Sequence, residues 1–211
     1  METLIIIAII LGTYLMAIAK RITALVRGFA IQSFFLFLYT LAQARREDSV
    51  ELYAVAGLLF ALKVIVIPYS LNKISRKIKA NDALGLFMNP QLSLLFAVVL
   101  TYGSWIFSRM VVPMEDAGMS VNLTASFTVV LSGLFIMVFR MKALSQTIGL
   151  LVMENGIFLL AASITGGMPF FVEIAIFTDV FISVIILNIF VYRINKLFTH
   201  VDVTKLSKLK G

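Results

Sequence analysis

Long apolar stretches separated by short charged clusters make up most of this sequence. Each stretch is close to the roughly 20 residues that a helix needs to cross about 30 Å of hydrocarbon. The first one is followed directly by Lys20 and Arg21 and has no basic segment before it, so we interpret it as a retained helix and not as a signal peptide. The pattern predicts an all-α polytopic membrane bundle of seven helices, at residues 3–19, 22–44, 52–72, 92–112, 122–139, 143–166 and 170–192.

The composition excludes several classes of protein and site. Of 211 residues, 61% are hydrophobic and 14% are charged, with a mean hydropathy of +1.02, which is far too apolar for a soluble domain. The chain has no cysteine, so it cannot supply thiolates to an iron–sulfur cluster or a zinc ion, and His200 in the polar C-terminal tail is its only histidine. We therefore expect no metal, no bound cofactor and no catalytic site of the chain's own.

The distribution of charge predicts the orientation. The net charge of +7 would suggest a nucleic-acid partner in a soluble protein, but in a membrane protein its meaning depends on the side on which the cations lie. If the N-terminus faces outward, the outer segments hold only Arg45, Arg46 and Arg109, together with six acidic residues. The positive-inside rule thus predicts N-out and C-in. Thirteen cations then lie in inner segments: Lys20, Arg21, Lys73, Arg76, Lys77, Lys79, Arg140, Lys142, Arg193, Lys196, Lys205, Lys208 and Lys210.

Loops and charged clusters divide the chain into parts. We predict a four-helix part at 1–112, an outer loop at 113–121, a three-helix part at 122–192 and a cytoplasmic tail at 193–211. Lys20-Arg21 and Arg140-Met-Lys142 occupy corresponding places about 121 residues apart, which suggests a repeat of three helices. The matching residues are few, and any two sets of three apolar helices align to some degree.

Five ionisable residues fall within the predicted spans, where each charge costs about 2.5 to 3.5 kcal/mol at the helix centre. Arg27 and Glu173 lie near span ends and can reach the headgroups, so we treat them as secondary candidates. Lys63, Glu154 and Asp179 lie near the midplane and are our candidates for proton relay or gating, since small rearrangements can load or release a proton there. The alternative is a static ion pair, or a protonated carboxyl group hydrogen-bonded across helices.

Pro68 follows Lys63 by five residues in the same apolar stretch. Proline removes a helical hydrogen bond and crowds the preceding turn. It therefore predicts a hinge or a kink just beyond the midplane lysine.

Several of these residues belong to segments that look familiar. The sequence resembles component E of membrane-bound hydrogenase 4, of the formate hydrogenlyase type. More distantly, the last three spans are similar to the K subunit of respiratory complex I and to the C subunit of multisubunit cation/proton antiporters, whose paired acids would fall on Glu154 and Asp179. The segments that carry the resemblance are Lys63-Val-x-x-x-Pro68, Leu151-Val-Met-Glu154-Asn-Gly156, Val172-Glu173-Ile-x-Ile176-x-Thr178-Asp179 and His200-Val-Asp202-Val-Thr-x-Leu206-x-x-Leu209-Lys-Gly211.

The resemblance implies a non-redox subunit in the membrane arm of a complex I-like hydrogenase in a prokaryotic plasma (inner) membrane. Antiporter-like subunits would lie beside it, and a module with a nickel–iron centre and iron–sulfur clusters would dock on the cytoplasmic side. The complex would move protons or sodium ions. Two alternatives stay open: a subunit of a cation/proton antiporter without a hydrogenase, and a structural scaffold whose buried charges only fix helix register.

Overall fold

The structure, a computed structural model, describes residues 2–77, 88–111 and 117–165, and every regular element within these ranges is a helix. The predicted span 170–192 and the tail 193–211 lie outside the described residues, and so do Glu173, Asp179 and His200. The helices are α1 (Glu2–Ala17), α2 (Ile22–Glu47), α3 (Val50–Leu59), a π-helix (Phe60–Val66), α4 (Ile67–Lys77), α5 (Pro90–Val111), α6 (Ala117–Phe139) and α7 (Ala143–Thr165).

The helices are those of a membrane bundle in length and composition. Five helical segments are long and apolar enough to cross a membrane: Ile22–Glu47, Val50–Lys73, Pro90–Val111, Gly118–Phe139 and Leu144–Ser163. The shorter helix α1 is also apolar. These segments and α1 match the first six predicted spans, which agrees with an all-helical membrane bundle.

A tight turn joins α2 to α3. Asp48 adopts the left-handed conformation, with a φ of 48°, and its N–H donates to the carbonyl of Ala44. Aspartate tolerates this conformation better than most residues with a side chain. Ser49 then begins α3 by accepting a hydrogen bond from the N–H of Leu52 at 3.4 Å. This turn directs α3 and the π-helix back along α2, so that residue 63 passes the middle of the bundle.

Helix α2 lies at the centre of the packing. It contacts α1, the continuous run from α3 through the π-helix to α4, and α7, while α6 contacts α1, α5 and α7. Because the π-helix and α7 both pack on α2, side chains from all three can meet at one depth. This arrangement positions the candidate site.

Glycines bring the helices of two hairpins, α1–α2 and α6–α7, into close contact. A Cβ atom added at Gly28 would lie 2.5 Å from Cγ of Met16, and one added at Gly149 would lie 2.6 Å from the backbone nitrogen of Met137. Both distances are well inside van der Waals contact. Gly149 and Met137 stand 121 positions after Gly28 and Met16, so the two hairpins place the same residue types in the same contact.

A second pair of contacts shows the same offset. A Cβ atom at Gly12 would lie 3.5 Å from Cβ of Gln32, and one at Gly133 would lie 2.4 Å from the backbone nitrogen of Met153. The residues of the second contact again follow those of the first by 121 positions. These matched contacts agree with the predicted repeat for its first two helices. The third helix of the second set lies outside the described residues.

Candidate functional site

Lys63 lies at the centre of a buried polar cluster. Its side chain is 1% exposed, and its ammonium donates to Oδ1 of Asn155 at 3.0 Å. The same Nζ lies 3.4 Å from Oε2 of Glu154, so the lysine pairs with two adjacent residues of α7. A buried ammonium is stable only when opposite charge and hydrogen-bond acceptors replace its water. We call the residues Lys63, Glu154, Asn155, Gln32, Ser33 and Thr13 the polar cluster.

The lysine sits in the π-helix Phe60–Val66, which interrupts an otherwise α-helical run from Val50 to Lys77. The N–H that follows this segment, of Ile67, donates to the carbonyl of Leu62, five residues earlier. Pro68 comes next and has no N–H to donate, while its ring crowds the carbonyl four residues before it. A wider helical turn before the proline accommodates this loss, and such turns often occur at functional sites.

The helix departs from α-helical geometry before Pro68 and not at it. The chain remains helical through Pro68 to Lys77, and the irregular turn lies on the N-terminal side of the proline, around Lys63. The sequence alone placed the hinge or kink at the proline itself. Whether the segment moves stays a prediction.

Asn155 connects the lysine to α2. Its amide nitrogen donates to Oε1 of Gln32 at 3.1 Å and to Oγ of Ser33 at 3.0 Å, while its oxygen accepts from Lys63. Asn155, Gln32 and Ser33 are all buried. One side chain of α7 thus satisfies polar groups from both the π-helix and α2.

The cluster ends in α1. Nε2 of Gln32 donates to Oγ1 of Thr13 at 2.7 Å, and the Thr13 hydroxyl donates to the carbonyl of Ile9 at 3.0 Å. Both side chains are fully buried. Four helical segments, α1, α2, the π-helix and α7, therefore share one hydrogen-bonded chain near the middle of the bundle.

Glu154 is the least enclosed charged residue of the cluster, with 16% of its side chain exposed. Its position is 11 residues from each end of α7, or about 17 Å at 1.5 Å per residue. Among the acidic residues that the structure describes, Glu154 alone lies away from the helix ends; the others are Glu2, Glu47, Asp48 and Glu51. Its carboxylate is therefore the more accessible member of the Lys63–Glu154 pair.

The structure brings together two of the residues that the sequence singled out. Lys63 and Glu154 form the buried pair, and Pro68 lies on the same helical run as Lys63. Arg27 is exposed on α2 and takes no part in the polar cluster. Asp179 and Glu173 lie outside the described residues, so their predicted roles as relay and secondary residues stay predictions.

Sequence reasoning missed the amides of the cluster. Asn155 stood in the segment that carries the family resemblance, but its neighbour Glu154 drew attention because of its charge. Gln32 gave a usable signal, since a carboxamide in the middle of the apolar helix α2 is costly unless it is hydrogen-bonded. Within 2–77, 88–111 and 117–165, no group of three His, Cys, Asp or Glu residues could hold a metal ion.

A buried arginine marks one end of the bundle. Arg140, which is 2% exposed, donates to the carbonyls of Ala19 at 2.9 Å, Ala17 at 2.7 Å and Met16 at 3.3 Å. The side chain thereby satisfies carbonyls at the C-terminal end of α1, where the helix dipole also favours a cation. Burial lowers the pKa of Arg140 to about 10, so the group stays charged at neutral pH. It joins the α1–α2 loop to the α6–α7 loop.

The opposite end carries an exposed ion pair. Nη1 of Arg46 donates to both carboxylate oxygens of Glu2, at 2.7 and 2.9 Å. Glu47, Asp48 and Glu51 lie next to this pair in the chain. The bundle therefore has an acidic end near Glu2 and a basic end around Arg140.

Comparison with known proteins finds bacterial relatives of two kinds. It is 31% identical to the uncharacterized protein Rv0085 of Mycobacterium tuberculosis over 204 residues, which cover 96% of this chain and 92% of that protein. It is 29% identical to hydrogenase-4 component E of Escherichia coli K12 and of Shigella flexneri over 153 residues, 72% of this chain and 70% of theirs. No protein-family profile matches the chain. No solved structure matches it either.

The two similarities differ in how much of the chain they cover. The mycobacterial protein matches along almost the whole chain, and the distant match to hydrogenase-4 component E supports the resemblance that the motifs indicated. The likeness to the K subunit of complex I has no support among these relatives. The chain belongs to the same protein family as Rv0085 and is a distant homologue of hydrogenase-4 component E.

Proposed function

We propose that the chain is a non-redox membrane subunit of a hydrogenase-4-like complex, and that the Lys63–Glu154 pair takes part in moving protons across the membrane. The observation that carries the proposal is the pair itself: an ammonium and a carboxylate 3.4 Å apart, at mid-height of helices that are otherwise apolar. Ionisable residues in such a place usually mark ion pathways. The homology to hydrogenase-4 component E supplies the kind of complex.

The chemistry of the pair suits proton transfer. A proton that shifts from the Lys63 ammonium to the Glu154 carboxylate converts an ion pair into two neutral groups. The balance between the two states depends on the local field, since little water screens charges in the interior. A charge that moves in a neighbouring subunit can therefore load or release a proton at Glu154, which has the more exposed side chain.

We also propose the partner subunits, the membrane and the orientation of the chain. Antiporter-like membrane subunits lie beside the chain, and the nickel–iron and iron–sulfur centres belong to a redox module on the cytoplasmic side. We place the complex in a prokaryotic plasma (inner) membrane, with seven helices, the N-terminus outside and the C-terminus inside. The basic end around Arg140 and the acidic end near Glu2 support this orientation. A complex I subunit K-like role for Glu154 and Asp179 is part of the proposal.

A charge-neutral pair variant tests the role in proton movement. Lys63→Met with Glu154→Gln removes both titratable groups without leaving a single buried charge, so assembly should survive. The complex is purified, its redox activity is measured in detergent, and proton movement per turnover is measured in sealed vesicles. We expect normal redox activity and at least a tenfold loss of coupled proton movement. Lys73→Met, an exposed lysine on the same helical run, is the matched control and should behave as wild type.

A structural scaffold is the second candidate, because the ion pair and the amides around Lys63 also suit a static joint between helices. Full proton coupling in the assembled pair variant would favour the scaffold and overturn the proposal. Co-purification tests the kind of complex separately. Recovery with iron–sulfur and antiporter-like subunits supports the hydrogenase, and recovery with antiporter subunits alone supports a cation/proton antiporter.

A further inference from the structure

The hydrogen bonds that surround Lys63 run in one direction. Lys63 donates to Asn155, Asn155 donates to Gln32, Gln32 donates to Thr13, and Thr13 donates to the carbonyl of Ile9. An ammonium has only donors, so the oxygen of Asn155 must face it, and this fixes where the Asn155 nitrogen points. The Asn155 nitrogen in turn requires the oxygen of Gln32. The chemistry of each neighbour thus determines both amide orientations.

The hydrogen-bonded chain that runs from Lys63 through two carboxamides to a threonine hydroxyl does not conduct protons. Each member of a relay must accept a proton on one side and give one up on the other, and a carboxamide N–H does not ionise. The chain also ends on a main-chain carbonyl of α1, which can only accept. On the other side of Lys63, Glu154 is titratable and 16% exposed, whereas Lys63 is 1% exposed.

We propose that Asn155 is a positioning residue for Lys63 and that the Asn155–Gln32–Thr13 chain closes the α1–α2 side of the site to protons. The lysine then exchanges protons only on the side of Glu154. This inference rests on the proposed function and assigns the route by which protons reach the lysine. Asn155 acts through the position of the Lys63 ammonium, which it holds 3.0 Å from its oxygen.

Variants at successive members of the hydrogen-bonded chain distinguish a positioning network from a proton relay. A relay stops wherever one link is removed, so Asn155→Leu, Gln32→Met and Thr13→Val would abolish proton movement equally. A positioning network weakens with distance from the lysine. We expect a loss of proton movement per turnover of at least tenfold for Asn155→Leu, a smaller loss for Gln32→Met and the smallest for Thr13→Val. Equal and complete losses at all three positions would overturn the closed side.

Asn155→Asp tests the positioning role without changing the shape of the residue. It keeps an oxygen facing Lys63 but adds a titratable group, so we expect coupled proton movement with an altered pH profile. Asn122→Leu is the matched control: Asn122 also donates an interhelical hydrogen bond, to Oη of Tyr39 at 3.1 Å, and it is not part of the polar cluster. Its pH profile should equal that of the wild type.

The outcomes separate this inference from the proposed function. Normal proton movement in the Lys63→Met and Glu154→Gln pair variant overturns the function, whatever Asn155 does. Loss of proton movement in the pair variant, with wild-type coupling and a wild-type pH profile in both Asn155→Leu and Asn155→Asp, overturns the positioning role alone. Should Asn155→Leu fail to assemble, Asn155→Asp and the ordering of Gln32→Met above Thr13→Val still decide the question.

Discussion

The ammonium of Lys63 lies 3.0 Å from the side-chain oxygen of Asn155 and 3.4 Å from the carboxylate of Glu154, the residue just before it in α7. The π-helix and α7 are thus joined by an ion pair and a hydrogen bond at one buried point. Removing one partner of such a buried pair destabilises the protein more than removing both, because the remaining group is left buried without its counter-charge.

The first prediction concerns this asymmetry. Glu154→Gln alone leaves the Lys63 ammonium buried with amide acceptors only, and we expect a loss of about 3 to 5 kcal/mol in unfolding free energy. The double variant with Lys63→Met should be more stable than Glu154→Gln, since no buried charge remains. Unfolding of the purified protein in detergent measures both. Glu2→Gln, which breaks the exposed pair with Arg46, is the control and should change little. A double variant less stable than Glu154→Gln would contradict the prediction.

The second prediction concerns close helix packing. Gly133→Ala places a methyl group 2.4 Å from the backbone nitrogen of Met153, so α6 and α7 must separate, and we expect a loss of about 1 to 3 kcal/mol. Gly103→Ala is the control, since a Cβ atom there meets nothing within 4 Å. It should be neutral or slightly stabilising, because alanine is the better helix former. Thermal unfolding in detergent distinguishes the two, and equal midpoints would argue against the tight α6–α7 contact.

The third prediction concerns Arg140. Arg140→Met leaves the carbonyls of Met16, Ala17 and Ala19 without their donor, and we expect a loss of about 3 kcal/mol. Arg140→Lys keeps the charge but cannot reach three carbonyls in the same geometry, so its stability should be intermediate. Arg21→Met is the control, because Arg21 is exposed in the adjoining loop. A stable Arg140→Met variant would show that water or lipid replaces the guanidinium without cost.

The fourth prediction concerns orientation. The chain has no cysteine, so a single introduced thiol can be labelled without background. Glu47→Cys at the acidic end should react with an impermeant reagent added outside intact cells, and Lys20→Cys should react only after the membrane is opened. Both positions are exposed in the structure. The opposite pattern would reverse the proposed N-out orientation.

The lengths of the apolar stretches predicted the five long apolar helices and the shorter helix α1, because lipid imposes the same requirement on every residue of a span. The boundaries differ where local chemistry decides them: α2 runs to Glu47, and the left-handed Asp48 then ends it. The π-helix was not predicted, since a change of hydrogen-bond register leaves no mark on hydropathy.

Charge in an apolar span identified two residues that the structure brings into contact, while their role in proton movement stays a prediction. Lys63 and Glu154 were selected for their cost in an apolar span, and the structure places them together. Asn155 and Gln32 carry no charge. Gln32 stands out as a carboxamide within an apolar helix, but the groups that the two amides join depend on which helices face each other, and the sequence does not reveal that. Arg140 was assigned to an inner loop, and only the fold shows that its guanidinium is buried against α1.

The bonds of Arg140 also bear on the order of events during synthesis. The carbonyls of Met16, Ala17 and Ala19 lie in the last turn of α1 and just after it, but their donor comes about 120 residues later in the chain. At roughly 5 to 20 residues per second, the wait is about 6 to 24 s. During that time α1 must keep its C-terminal carbonyls in contact with water or headgroups. The native end of α1 is therefore completed only when α6 and Arg140 have been made, so α1 reaches its final environment long after its own synthesis.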